Sequence, residues 1–141
     1  MNKYQILAVC LVAVLWGCGQ NPTPRQVTMD FVGSVIEGDS AAIIQLLDVD
    51  LMVDKRMEEI PPTDSTQTHD YFKNLIIKNL TGEGGTRAFW KQHRLVVNDE
   101  IIKGDTAQVE LTLLDQEKGS IQYLLVHLYR TKGNWRVFKY L

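Results

Sequence analysis

The sequence predicts an α+β domain in which N-terminal helices pack on one face of a C-terminal antiparallel sheet. Apolar residues recur at helical spacing between residues 24 and 80. Residues 95–141 are instead rich in Val, Leu, Ile, Tyr and Thr, the residue types that suit a half-buried strand. Turn-forming residues at 103–105, 116–119 and 131–134 divide that stretch into consecutive strands. With 45% hydrophobic and 23% charged residues over 141 positions, the composition is that of one globular domain.

The first stretch of the chain has the features of a secretion signal. Residues 1–3 give a short positive start, and residues 4–16 form an apolar run without charge. This run of 13 residues matches the apolar region of a signal peptide. It is too short to span a hydrocarbon core of about 30 Å comfortably as a helix. An uncleaved anchor helix and an ordinary secretory signal are the alternatives.

The end of the run, Leu15-Trp16-Gly17-Cys18, resembles the bacterial lipobox, in which the cysteine is lipidated and becomes the mature N-terminus. The resemblance implies that Cys18 carries acyl chains such as palmitate and anchors the protein in the bacterial cell envelope. Gly19 follows the cysteine, which by Gram-negative sorting rules implies the outer membrane if the source is Gram-negative. The implied divisions are a signal peptide over residues 1–17, a lipidated tether over residues 18–23 and a domain over residues 24–141.

Two helices open the domain. Thr23 can cap a helix whose first residue is Pro24, and Gln26 completes a capping box. Gly38 ends this helix as a C-terminal cap. Asp39 then caps a second, short helix.

Residues 48–67 have no dominant pattern. Leu51-Met52-Val53 fits either a short strand or a turn of helix, and Pro61-Pro62 requires an extended segment. A third helix is predicted over residues 69–80, where apolar residues return at helical spacing. Residues 81–85 contain three glycines and are expected to break this helix.

Alternation along the strands predicts two faces of different character. The turns set Leu95, Val97, Asp99 and Ile101 on the same side as the aliphatic residues of the later strands, and three independent turns agree on that face. The opposite face begins polar and becomes aromatic. This predicts a homodimer or partner surface, because a large exposed apolar patch usually marks an interaction site. The residues predicted for this interface are Tyr123, Leu125, His127, Tyr129, Phe138 and Tyr140.

Several segments resemble the nuclear-transport-factor-two-like superfamily, whose cystatin-like roll is shared with ketosteroid isomerases and limonene-epoxide hydrolases. They are Gly104-Asp105-Thr106-Ala107-x-Val109, residues 123–129, Gly133-Asn134-Trp135-Arg136-Val137 and the helical residues 31–39. The resemblance extends to small bacterial lipoproteins that carry this roll, and it implies a curved sheet that forms a cone-shaped pocket with the helices. The residues implied to line this pocket are Phe31, Val35, Phe72, Leu95, Val97, Asp99, Val109, Leu111, Val126 and Trp135.

Asp99 is the candidate catalytic residue, since the predicted register places its carboxylate on the aliphatic face. A desolvated carboxylate in a pocket of this type could act as a general base. There are two alternatives. A bulge over Asn98-Asp99-Glu100 could turn Asp99 outward, or Asp99 could pair with a basic residue such as Arg130 at a rim. The sequence favours these alternatives, and with them a protein that is not an enzyme.

Composition and motifs argue against several function classes. The formal net charge of −2 gives no basic footprint for nucleic acid. Both cysteines, Cys10 and Cys18, precede the domain, so the domain has no disulfide framework. No histidine–carboxylate cluster predicts a metal site, and no motif predicts a cofactor.

These features predict a membrane-anchored envelope lipoprotein. Its single domain would act as a non-catalytic binding or accessory module that self-associates, or meets an envelope protein, through the aromatic face of the sheet. The alternative is a small-molecule binder or an isomerase- or hydrolase-type enzyme that uses a pocket between helices and sheet, with Asp99 inside it.

Overall fold

The structure is a computed structural model that describes residues 21–140. Within that range, five helices precede a four-stranded antiparallel sheet, which confirms the α+β class. The predicted signal peptide, the lipidation site Cys18 and the first half of the tether, residues 18–20, lie outside the described residues. Over residues 21–140, no helix has both the length and the apolar character needed to cross a membrane.

The helices are followed in the chain by the whole sheet. The helices are α1 Pro24–Glu37, α2 Ser40–Leu46, α3 Val49–Glu59, α4 His69–Thr81 and α5 Gly85–Lys91. The strands are β1 His93–Lys103, β2 Thr106–Asp115, β3 Ile121–Thr131 and β4 Asn134–Tyr140, paired in the order β1-β2-β3-β4. This arrangement is consistent with the roll that the superfamily resemblance implies.

The first helix begins and ends, and the second helix begins, where their capping residues predict. The Thr23 hydroxyl accepts a hydrogen bond from the N–H of Gln26 at 3.1 Å, and Gly38 ends α1 with a φ of 75°. Asp39 caps α2 as predicted. The capping box is incomplete, because the Gln26 side chain donates instead to Asp30 at 2.9 Å.

The core lies between α1 and the inner face of the sheet, which is the face turned toward that helix. The Phe31 ring packs against Trp90 and Tyr140, with ring centroids 5.6 Å and 5.5 Å apart. Burial of the apolar α1 stripe against the sheet stabilises the fold. The largest fully buried side chains are Trp90, Phe31, Ile43, Leu47, Leu80, Leu111, Leu113 and Leu128.

Two of the helices, α3 and α5, are not predicted from the sequence. The Asp48 carboxylate caps α3 by accepting a hydrogen bond from the N–H of Leu51 at 3.0 Å, so Leu51-Met52-Val53 is helical. The predicted break after α4 is present, but it covers only residues 82–84. A new helix begins at Gly85, which has a φ of 66°, and it carries the buried Trp90 into the core.

The pairing of β2 with β3 and of the β3–β4 hairpin follows the predicted register. Ala107 lies opposite Leu128, and Leu128 lies opposite Val137. The start of β1 also agrees, with Leu95 opposite Leu113. Apart from Arg130 and Trp135, the inner face is aliphatic along these strands, as the alternation predicts.

A β-bulge in β1 changes the second half of that strand. The register shifts between Val97 and Glu100, so that Glu100 lies opposite Val109, the position predicted for Asp99. Asp99 is exposed, and Ile101 is also turned away from the inner face. The strict alternation that places Asp99 and Ile101 on the aliphatic face is therefore wrong, because a bulge inserts one extra residue and reverses the alternation beyond it. The favoured alternative, a bulge over Asn98-Asp99-Glu100 that turns Asp99 outward, is the arrangement observed.

A second register shift affects the end of β4. It falls between His127 and Leu128 on β3, and it sets Tyr140 opposite Val126 on the inner face. Tyr140 reaches the core beside Phe31, and its burial raises the pKa of the phenol to about 12. The prediction that Tyr140 belongs to the outer aromatic face is wrong for the same geometric reason as at Asp99.

Candidate functional site

A cleft of about 570 Å³ opens between α3, α4 and the C-terminal end of β4. This volume is in the range of small-molecule sites in proteins, about 300–1,000 Å³. The apolar residues that line the cleft are Met52, Ile60, Phe72, Leu75, Ile76, Phe138 and Tyr140. Its polar and charged lining residues are Lys55, Arg56, Glu59, Asn79, Thr86, His127 and Lys139.

Two helices present matching faces to the cleft. Residues spaced i, i+3, i+4 and i+7 lie on one side of a helix, so four residues from each helix can border the same opening. The four from α3 are Met52, Lys55, Arg56 and Glu59, and the four from α4 are Phe72, Leu75, Ile76 and Asn79.

The segment between α2 and α3 fixes the position of α3 against the edge of the sheet. Leu47 forms a parallel bridge with Val137, and the N–H of Asp48 donates to the Val137 carbonyl at 2.8 Å. The Arg136 guanidinium donates to the Leu47 carbonyl at 2.6 Å, and the Tyr129 hydroxyl donates to the Asp48 carboxylate. This α2–α3 link, residues 47–48, therefore holds one wall of the cleft on β4.

The hydrogen bond between Tyr129 and Asp48 also sets the charge at the link. Partial burial by itself would raise the pKa of Asp48, but hydrogen bonds from the Tyr129 hydroxyl and the Leu51 N–H, with the charge of Arg136, lower it overall. The same hydrogen bond, followed by burial, raises the pKa of Tyr129. At neutral pH the carboxylate is therefore ionised and the phenol is neutral.

Three cations border the cleft above its apolar residues. The Lys55 ammonium lies 5.7 Å from the centroid of the Phe138 ring, and the Arg56 guanidinium carbon lies 5.1 Å from that of Phe72. Lys139 is the third cation of the lining. None of the three forms a salt bridge with another residue in the range 21–140. Their charges are therefore available to an anion in the cleft.

The remaining ionisable groups of the cleft leave this positive charge in excess. Glu59 is the one carboxylate among the lining residues of the cleft. Partial burial, followed by the charge of Lys139, lowers the pKa of His127 and keeps its imidazole neutral at pH 7. Across residues 21–140, no group of three or more His, Cys, Asp or Glu side chains is placed to hold a metal ion.

Part of the apolar lining is accessible to solvent. Ile60 is 58% exposed and Leu75 is 40% exposed, and both border the cleft. Covering such side chains with an apolar group releases about 25 cal/mol for each Å² removed from water. The cleft therefore combines apolar surface that a ligand could cover with cations that could orient the ligand.

The pocket-lining residues implied by the resemblance lie mostly in the core. Phe72 is the one member of that set that borders the cleft, and Asp99 is exposed on the β1 bulge. Leu95 and Val97 are partly buried against the core. The others are buried between helices and sheet, and these are Phe31, Val35, Val109, Leu111, Val126 and Trp135. These six side chains are part of the hydrophobic core.

Five of the six residues predicted for an interface are divided among three environments. Tyr123 and Leu125 lie on the outer face of the sheet, and they are 68% and 40% exposed. His127 and Phe138 are half-buried and border the cleft. Tyr129 is half-buried and hydrogen-bonded to the α2–α3 link. The exposed apolar surface on the outer face is thus narrower than the sequence predicts.

Sequence reasoning misses Lys55 and Arg56 as residues of the site, because both lie on α3. The signal for this helix is Asp48 as a capping residue, followed by the buried Val49 and Val53 at helical spacing. With that helix in place, Lys55 and Arg56 fall on the same side as Met52. Only the contact with the far end of β4 then completes the cleft.

Comparison with known proteins gives likenesses of structure only. No protein-family model and no curated protein matches the sequence. A candidate NTF2-like transpeptidase from Campylobacter jejuni is 16% identical, with 82% of this chain and 97% of that chain covered and a TM-score of 0.47. A SEC-C-motif-containing protein from Rhodopseudomonas palustris is 14% identical, with 84% and 77% covered and a TM-score of 0.48. Neither likeness transfers an activity to this chain.

Proposed function

We propose that this chain is a membrane-anchored binding protein whose domain takes an amphipathic organic anion in the cleft between α3, α4 and β4. One observation carries the proposal: Lys55, Arg56 and Lys139 surround a partly exposed apolar surface without a salt-bridge partner among residues 21–140. A carboxylate or phosphate head would lie among these cations. Its alkyl or aryl body would cover Ile60 and Leu75.

The anchoring half of the proposal is supported by the sequence. Cys18 ends a lipobox-like segment, and acylation there would attach the domain to the cell envelope through residues 18–23. If the source is Gram-negative, Gly19 favours the outer membrane. The domain would then act as an accessory binding module at that membrane.

A binding role is favoured over catalysis because Asp99 does not lie in the cleft. Its side chain is exposed on the β1 bulge, so the general base required by an isomerase- or hydrolase-type mechanism has no support at this residue. The cleft still supports binding of a small molecule without catalysis.

The cleft can be tested with a matched pair of ligands on the full chain. Isothermal titration with dodecanoate and with dodecanol compares the same alkyl body with and without a negative head. We expect dodecanoate to bind more tightly. We also expect the double variant Lys55→Gln/Arg56→Gln to lose about fivefold in affinity per cation for dodecanoate only, since an exposed ion pair contributes up to about 1 kcal/mol.

Two control variants separate the head from the body of the ligand. Lys78→Gln removes an exposed cation of α4 that does not border the cleft, so it should leave both affinities unchanged. Leu75→Gln should weaken both ligands, because it removes apolar lining. Equal affinity for acid and alcohol, or an equal effect of Lys78→Gln and the double variant, would overturn the proposal.

Self-association through the outer face is a second candidate function. Ile121, Tyr123 and Leu125 alternate along β3, point to the same side of the sheet and are 55%, 68% and 40% exposed. A row of three large apolar side chains on one strand is the kind of surface that a second molecule covers.

A further inference from the structure

One end of the sheet brings the start of the described chain next to two hairpin turns. We call this end the sheet tip and define it as residues 101–106 and 131–134. The N–H of Arg130 donates to the Asp105 carbonyl at 2.7 Å, and the Arg130 guanidinium pairs with the Asp105 carboxylate at 2.9 Å. These contacts hold the β1–β2 and β3–β4 turns side by side.

The start of the described chain, at Asn21, also lies at the sheet tip. The side-chain nitrogen of Asn21 lies 3.5 Å from the position that a Cβ atom would take on Gly133, in the β3–β4 turn. Asn21 is three residue steps along the chain from Cys18. A fully extended chain spans at most about 3.6 Å per residue, so Cys18 lies within roughly 11 Å of Asn21.

The surface of the sheet tip is amphipathic. Ile101 is 59% exposed and Ile102 is 50% exposed, and they face opposite sides of the hairpin because they are adjacent on β1. Lys103 and Lys132 are exposed beside them, and Arg130 is already paired with Asp105. The tip therefore presents two apolar side chains and two cations without a salt bridge among residues 21–140.

We propose that the sheet tip docks on the anionic phospholipid surface that carries the lipid anchor. Ile101 and Ile102 would enter the headgroup region from the end of the β1–β2 hairpin, and Lys103 and Lys132 would lie against phosphate groups. This inference rests on the proposed acylation of Cys18, because the short tether brings this end of the domain to the bilayer. The acyl chains hold the protein at the membrane, and the tip sets its orientation.

Docking in this orientation fixes the position of the cleft. Strand β4 runs from Asn134 at the tip to Tyr140 at the cleft. Six residue steps at about 3.3 Å place the cleft roughly 20 Å from the tip. The cleft would then open above the headgroups, and its ligand would reach it from the aqueous side of the membrane.

The experiment places an environment-sensitive fluorophore on the lipidated full chain in vesicles that contain phosphatidylglycerol. Removal of the signal and acylation of Cys18 leave no other cysteine, so Ile102→Cys can be labelled alone. The matched control is Glu117→Cys, in the exposed turn at the opposite end of the sheet. A lipid spin label at headgroup depth serves as the quencher.

We expect a blue shift and a loss of fluorescence at position 102 and neither change at position 117. Charge reversal with Lys103→Glu and Lys132→Glu should reduce the quenching at position 102 while the protein stays on the vesicles. Quenching that is equal at both positions would overturn the docking, as would its absence at position 102 on vesicle-bound protein. An unlipidated Cys18, with the protein free in solution, would instead overturn the proposed anchor.

Discussion

Glu100 occupies the position that the sequence alternation assigns to Asp99. Its carboxylate accepts a hydrogen bond from the N–H of Arg25 at 2.6 Å, where the first turn of α1 has N–H groups without a helical partner. The Arg25 side chain in turn donates to the Asn98 carbonyl at 3.1 Å. The sequence offers a bulge at this place only as one of two favoured alternatives, because one inserted residue leaves the same alternation on each side of it.

The two neighbouring carboxylates should therefore differ in their effect on stability. We expect Glu100→Ala to lower the free energy of unfolding by about 1 kcal/mol, since it removes a carboxylate from the start of a helix. Asp99→Ala should change the free energy by less than about 0.5 kcal/mol, because its side chain is exposed. Urea denaturation of the two variants measures the difference. A larger loss for Asp99→Ala would contradict the assignment of the bulge.

At the scale of elements, the α2–α3 link shows what local patterns predict and what they miss. Caps and glycines locate α1 and α2, because these signals lie within a few residues of each helix. The link is different, because Asp48 is held by Tyr129 and Val137, which follow much later in the chain. The side of β3 on which Tyr129 lies predicts that it belongs to an interface. The residues near Tyr129 in the sequence do not show that its hydroxyl donates a hydrogen bond to Asp48.

Removing that hydroxyl should destabilise the fold in a pH-dependent way. We expect Tyr129→Phe to cost about 1–2 kcal/mol at neutral pH, because it leaves a partly buried carboxylate without a donor. The folded-state pKa of Asp48 lies below its ordinary value of 3.8. Its stabilisation is therefore present above pH 3.8 and is lost as the pH falls through the lower folded-state value. The difference in the free energy of unfolding between wild type and variant should therefore become smaller at acidic pH.

Thermal unfolding from pH 7 down to pH 3 provides the measurement. Tyr129→Phe keeps the aromatic ring and its contact with Phe138, so the comparison isolates the hydroxyl. A difference that stayed constant over this range would show that the hydroxyl does not interact with the ionised carboxylate.

At the scale of the whole molecule, the fold class and most of the strand register could be predicted, because alternation and turn lengths fix them together. The cleft could not be predicted from the sequence. Its walls come from α3, which has no strong local signal, and from the end of β4, where a register shift turns Tyr140 inward. The core residues expected to line a pocket have the correct polarity, but polarity alone does not distinguish a pocket lining from a packed core.

The outer face allows a prediction about assembly. We expect the domain to self-associate at micromolar concentration through Tyr123 and Leu125, and we expect Leu125→Lys to shift it toward monomer. Ile44→Lys is the matched control, because Ile44 is 49% exposed but lies on α2 rather than on the sheet. Sedimentation velocity measures both variants. A wild-type protein that is monomeric at all concentrations would rule out this surface as a homodimer interface.

The β1 bulge has a consequence for the solubility of the chain. β1 is an edge strand, and a regular edge offers a row of free backbone groups on which another strand can polymerise. Arg25 already binds the carbonyls of Val97 and Asn98, and Asp99 projects a charge from the same bulge. At the opposite edge, the α2–α3 link covers Val137. We therefore expect Asp99 to oppose aggregation through β1, since an incoming strand would have to desolvate its carboxylate.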